Sequence, residues 1–325
     1  MEVNTIRNLD DLYNYVKEGK IDRQIQKKKV LKYEMKRIKR KKNKGIRGRV
    51  RNFIVAIYPL RYMLACIHYK KISSFRDNEF RNELSNNAKT DILKNIDKYK
   101  QVYDLLDKKS KHTYLLMLLY RLTGDYALSM KVCSPNEQYF SDRIQWKCEE
   151  NIIDCGAYVG DTLSAFLRHK VNINNYYLFE LDDTNYEKLK EVCKVAESEG
   201  IKTHPKKKGV YSCTTTLYFE SDADSSRLVN YPTETSIPVI SIDEDINTTI
   251  SFIKMDIEGS ELEAINGAIK TIRRDKPVLA ICIYHKQEDF WKLPLRIKEI
   301  CPEYTKFWIE QYSPWDIETV LYVQT

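Results

Sequence analysis

The sequence contains no Cys-x-x-Cys pair, and its eight cysteines, at positions 66, 133, 148, 155, 193, 213, 282 and 301, follow no framework spacing. That excludes a zinc ribbon or a disulfide-stapled scaffold and reads as reduced thiols. Long apolar runs are also missing. The longest, Phe53 to Leu60, is closed by Arg61 and falls far short of the ~20 residues that span a bilayer. The opening residues, Met-Glu-Val-Asn-Thr-Ile-Arg, lack a basic segment followed by an apolar one. Nothing argues for export, and the expected location is cytoplasmic. Gly-x-Gly-x-x-Gly is absent as well, which removes the turn that cradles the pyrophosphate of a dinucleotide.

What is present is a chain of 325 residues with 42% hydrophobic content, enough for one large domain and a smaller one. Charge is distributed unevenly. Residues 23 to 51 hold fifteen Lys or Arg and one acid, Glu34, a net +14 against +8 for the whole chain, so all other residues together carry −6. Apolar residues (Val30, Leu31, Tyr33, Met35, Ile38) thread this arm, and the apolar, aromatic stretch Phe53 to Ile67 follows it. A solvated charged helix face explains such a run. A basic segment beside an apolar one also suits an anionic membrane surface, so residues 23 to 67 are expected to be peripheral at the inner membrane face. Helical periodicity covers residues 9 to 20, 90 to 106, 111 to 122 and 127 to 132, giving a helical region over 1–137.

The stretch Asn151 to Asp161, Asn-Ile-Ile-Asp-Cys-Gly-Ala-Tyr-Val-Gly-Asp, reads as strand, tight turn, helix. Its glycines, Gly156 and Gly160, are flanked by carboxylates, Asp154 and Asp161. Two acids repel a phosphate but suit a cationic ligand with an adenosine end and an amino group. S-adenosylmethionine (SAM) fits that description. A second strand, Tyr176 to Phe179, ends in Glu180, placed where an acid accepts the ribose hydroxyls of an adenosine ligand.

Strand and helix patterns alternate from residue 151 onward, the signature of a mostly parallel sheet covered by helices. Gly209 to Cys213 reads as the third strand, and Thr215 to Phe219 and Pro238 to Ile242 as an antiparallel pair bracketing a polar loop, Ser221 to Arg227. Ile250 to Met255 runs into Asp256-Ile-Glu-Gly-Ser-Glu261. Alternation puts Lys254, Asp256 and Glu258 on one side, so an ion pair between Lys254 and Asp256 is expected. Glu261 to Arg273 reads as a helix. Val278 to Tyr284 is a strand delivering His285, Phe290 to Ile300 a helix, and Thr305 to Gln311 with Glu318 to Val323 a final strand pair.

Taken together, Asp154-Cys-Gly-Ala-Tyr-Val-Gly-Asp161, Phe179-Glu180, Ile253-Lys-Met-Asp-Ile-Glu-Gly-Ser-Glu261, Ile283-Tyr-His-Lys286 and Glu318-Thr-Val-Leu-Tyr322 resemble the FkbM-type family of SAM-dependent methyltransferases over residues 138–325. The resemblance implies a Rossmann-like class I fold with a seven-stranded sheet and methylation of hydroxyls on sugars, polyketides and related products. It implies a SAM site at Asp154, Gly156, Ala157, Gly160, Asp161 and Glu180, with Asp256 to Glu261 as the second signature. Leu181 stands where many relatives have Pro.

Methyl transfer to a hydroxyl needs an aligned acceptor and a place for its proton. The candidates are His285 and Asp256, with Glu258 in support; the alternative is a divalent ion held by Asp256 and Glu258. The expected acceptor is a glycan, including a lipid-linked or cell-surface one. A methyltransferase acting on RNA 2′-hydroxyls through the basic arm is the second reading. None of the nine prolines is followed by Pro or Cys, so the signatures of base methylation are absent and nucleic acid is disfavoured. The third reading is a membrane-docked module that binds SAM without turnover.

Overall fold

The computed structural model describes residues 6–18, 78–222, 225–229, 231–233, 235–315 and 317–325. The basic arm 23–51 and the apolar stretch 53–67 lie outside them. The chain forms two compact units. One comprises the described residues of Met1–Lys100 with Lys111–Cys133 and Ser313–Ile317; the other comprises Gln101–Ser110, Ser134–Tyr312 and Glu318–Thr325.

The amino-terminal portion is helical: α1 (Leu9–Lys17), α2 (Asn78–Leu105), α3 (Lys108–Thr123) and α4 (Tyr126–Val132). Helix α1 begins where the Asn8 side chain accepts the Asp11 N–H at 2.8 Å, capping an otherwise unpaired donor. Asp10 and Asp11 in its first turn and Lys17 in its last complement the helix dipole. Asp125 caps α4 in the same way through the Ala127 N–H. No helix among the described residues is long and apolar enough to cross a membrane.

The second unit follows in the order β1 (Glu150–Cys155), α5 (Asp161–His169), β2 (Ile173–Phe179), α6 (Asp183–Ser198), β3 (Lys202–Lys206), β4 (Gly209–Val210), β5 (Thr215–Asp222), β6 (Ser225–Val229) and β7 (Thr235–Ile240). It continues with α7 (Ile242–Asp245), β8 (Phe252–Met255), α8 (Glu261–Asn266), α9 (Ile269–Asp275), β9 (Val278–Cys282), α10 (Asp289–Ile300), β10 (Lys306–Gln311) and β11 (Thr319–Gln324). Seven strands form one sheet in the order β10-β11-β9-β8-β1-β2-β3. Only β11 runs against its neighbours. Every residue of β8 and β9 is buried, as expected of parallel strands covered on both faces. After β3 the chain returns to the other side of β1, so the carboxyl ends of β1 and β8 flank the switch point where open α/β sheets place their ligands.

Several local expectations change. The third strand of the sheet is Lys202–Lys206, paired with β2; Gly209–Val210 instead joins β7 in a separate sheet ordered β4-β7-β5-β6. The expected polar loop 221–227 is largely strand, because β6 pairs antiparallel with β5 from Asp222↔Ser225 to Tyr218↔Val229. The expected helix 261–273 is two helices broken at Gly267, where an added Cβ would come within 2.0 Å of the Tyr211 carbonyl oxygen.

The partner of Lys254 is also different. Register places Asp154 directly opposite Lys254, and Nζ lies 2.8 Å from Asp154 Oδ1. Asp256, one residue beyond the strand, turns to other partners.

Candidate cofactor and active site

The turn after β1 is shaped by two glycines with different tasks. Gly156 has φ +80°, and a Cβ there would lie 2.0 Å from the Asp256 carbonyl oxygen. Only glycine lets the two strand ends approach so closely. Gly160, at φ +81°, opens α5, and a Cβ on it would strike Val192 of α6 at 2.9 Å. Its need is helix packing. Ala157 is fully buried and donates its N–H to the Phe179 carbonyl at 2.9 Å.

Beside this turn lies a cleft of about 720 Å³. Glu180 sits in its wall with both carboxylate oxygens fixed, Oε2 by the Tyr158 N–H and Oε1 by the Asp182 N–H, each at 2.8 Å. The carboxylate is thereby held in one orientation with acceptor capacity to spare. Asp161, Gly156, Asp256 and Glu258 also line the cleft; Asp154, Ala157, Gly160 and His285 do not.

Asp154 is fully buried and reaches the cleft only through Lys254. The Lys254 ammonium contacts Asp154 and donates to the Gly156 carbonyl at 2.5 Å. Burial works against that ammonium, but Asp154 and Asp256 outweigh it and raise its pKa, so it stays protonated. The pair ties β8 to the base of the turn.

At the other end of the cleft Asp256 accepts from two phenols. Tyr284 Oη donates to Oδ1 at 3.0 Å and Tyr139 Oη to Oδ2 at 3.2 Å. Tyr139 is brought there by its left-handed backbone, φ 68°, and by a bond of 3.1 Å from its N–H to the Tyr322 hydroxyl. Glu310 secures the same lead-in segment by accepting from Ser134 at 2.9 Å and Ser141 at 2.8 Å. Burial raises the pKa of both phenols, Tyr139 and Tyr284, so they remain donors near neutral pH.

His285 lies behind Asp256, its side chain only 7% exposed. Nδ1 is 3.0 Å from Glu261 Oε1, and Nε2 is 3.4 Å from Asp256 Oδ1 and 3.5 Å from Glu258 Oε2. None of these approaches is aligned as a hydrogen bond. Burial opposes the imidazolium, yet the three carboxylates, Glu261 foremost, prevail and raise the pKa. The three expected catalytic residues are therefore together, with Asp256 facing the cleft and His285 acting on it from the rear. Among the described residues no group of three or more His, Cys, Asp and Glu side chains is arranged to hold a metal ion.

Tyr139, Tyr284 and Glu318 enter this site without having been singled out individually. The Glu318 carboxyl lines the cleft with its pKa raised by burial and by neighbouring Asp256. Lone tyrosines in a chain with 23 of them give no signal, although Tyr284 and Glu318 both fall inside stretches that carry the family resemblance.

SAM fits this donor set. Glu180 is a carboxylate already oriented for a pair of hydroxyls, and Gly156, which lines the same cleft, lets the ends of β1 and β8 close up beside it. Residues 154–312 match the Methyltransferase FkbM domain. A crystal structure of methyltransferase FkbM from Methylobacillus flagellatus KT is 29% identical, with a TM-score of 0.63 over 72% of this chain and 60% of that one. The chain thus spans less than two thirds of that relative's length.

An rRNA methylase from Streptococcus thermophilus (13% identity, TM-score 0.35, 55% of this chain and 89% of that one) is more distant. So is Aeropyrum pernix fibrillarin with natively bound SAM (10%, 0.34, 54% and 66%). No curated protein matches the chain. The match runs from the acid of the first turn to Tyr312, just beyond β10, so residues 154–312 are similar to the methyltransferase FkbM domain over nearly half of the chain.

Proposed function

We propose that this chain transfers a methyl group from SAM to a hydroxyl of a sugar or glycan. The observation that carries the reading is Asp256, a carboxylate that faces the cleft and is held by the hydroxyls of Tyr139 and Tyr284. Four tyrosines, at 139, 158, 211 and 284, line the cleft together with carboxylates. Ring faces pack on the apolar side of a sugar, and carboxylates accept its hydroxyls.

Glu180 and the Gly156 turn would hold the cofactor, which supplies an activated methyl. Asp256 orients the acceptor hydroxyl and accepts its proton as that oxygen takes the methyl, which the bound cofactor would supply with a neutral thioether as its leaving group. His285, whose imidazolium form the surrounding carboxylates favour against burial, steadies Asp256 and Glu258, and Lys254 keeps the floor of the cleft rigid. A positioned group of this kind contributes roughly 10²- to 10⁴-fold.

The test is transfer of labelled methyl from SAM to neutral oligosaccharides, with RNA as the competing acceptor. Alkali-stable label on the oligosaccharide that disappears in Asp256→Asn is expected. Label on RNA alone would overturn the reading. The net +14 of residues 23–51 supports a second element of the proposal, docking at an anionic membrane where lipid-linked glycans reside. Flotation with anionic but not neutral liposomes is expected, and equal behaviour with both would remove that element.

A further inference from the structure

The cleft changes character along its length. One end is apolar, walled by Val210, Leu217, Ile237 and Val239. Leu181 lines the same wall, and a Cβ added at Gly209 would meet both it and Val239; Glu180 comes next. Past the Gly156 turn the wall becomes Asp256, Glu258 and Glu318 with the hydroxyls of Tyr139 and Tyr284. This sequence matches a ligand that is apolar at one end, carries paired hydroxyls in the middle and a positive charge at the other.

The negative charge at the far end is only partly offset. Three acidic residues, Asp256, Glu258 and Glu318, line this end, with Lys254 beside them. The Lys254 ammonium is committed to Asp154 and the Gly156 carbonyl. His285 offsets part of the charge from behind at 3.4 Å, without entering the cleft. Asp256 and Glu318 face the same space, and their mutual repulsion contributes to the raised pKa of Glu318. A cation placed between them relieves that repulsion; a neutral group does not.

We infer that this end makes the chain choose its cofactor by charge, holding sulfonium SAM in preference to the neutral thioether product, S-adenosylhomocysteine (SAH). The inference rests on the cofactor reading above and gives it a direction. Transfer cancels the ligand's positive charge, so the product loses its hold and leaves, and product inhibition is weak.

Calorimetry on the full chain tests this without an acceptor, using SAM, SAH and an analogue with an ammonium in place of the sulfonium. SAM and the ammonium analogue should each bind at least about tenfold tighter than SAH, as one partly solvated charge contact provides. The gap should narrow as salt rises. In Asp256→Asn the SAM and analogue affinities should fall towards that of SAH, with SAH binding unchanged. Equal binding of all three by the wild type, or tighter SAH, overturns the inference and leaves the cofactor reading intact. No binding of any of the three overturns both.

Discussion

Lys254 Nζ lies 2.8 Å from Asp154 Oδ1, with both side chains buried and in register across β8 and β1. Removing one member of such a pair strands the other charge in the core, which costs about 3–5 kcal/mol. Lys254→Met is therefore expected to lower stability by that order in urea denaturation. A shift below about 1 kcal/mol, the scale of an exposed pair, would mean that the two charges are not buried together.

Gly156→Ala places a methyl against the Asp256 carbonyl oxygen at a backbone conformation that side chains avoid. The strand ends must separate, so SAM binding should be lost together with part of the stability. Calorimetry and thermal unfolding on the same sample check this; normal SAM affinity in the variant would contradict the close approach.

His285→Ala is expected to lower turnover by roughly 10²-fold or more without weakening SAM binding, because the ring stands behind Asp256 and outside the cleft. Its raised pKa has a consequence for stability. The stabilising contribution of the imidazolium is complete below its unfolded value of about 6.5 and fades as pH rises through the higher folded value. The stability difference between wild type and His285→Gln should shrink from acid to alkaline pH. A constant difference would count against the carboxylate cage.

Burial pushes the Asp289 carboxyl up to about 6, with the Lys286 N–H pulling in the opposite direction and Glu261 adding to the rise. The folded chain thus takes up a proton there at a pH where the unfolded chain, titrating near 3.9, still lacks it. Stability from this group increases as pH falls from about 7 towards 4. Denaturation of wild type and Asp289→Asn across that range should show a slope in the first that is reduced in the second.

The sequence was most legible where one residue type answers one local demand. The paired glycines and acids after β1, the acid closing β2 and the run Asp256–Glu261 each mark a strand end, and the sheet brings those ends together. Edge elements were not legible. Lys202–Lys206, Lys-Thr-His-Pro-Lys, lacks apolar alternation because it lies at the rim of the sheet, where Pro205 is tolerated. β6, Ser-Ser-Arg-Leu-Val, likewise carries no strand pattern. Nor did alternation along one strand find the partner of Lys254. The neighbouring strand's register decided it, at a separation of 100 residues. Tyr139 and Asp256 meet across 117 residues, a contact that neither local sequence announces.

Titration of SAM into the purified chain, beside Glu180→Ala and with NAD as a control ligand, tests the cofactor assignment most directly. Micromolar SAM binding is expected, weakened at least about tenfold when the carboxylate held by Tyr158 and Asp182 is removed, with no NAD binding. Absence of SAM binding, or NAD binding in its place, would contradict the reading of the first turn and the methyl transfer built on it.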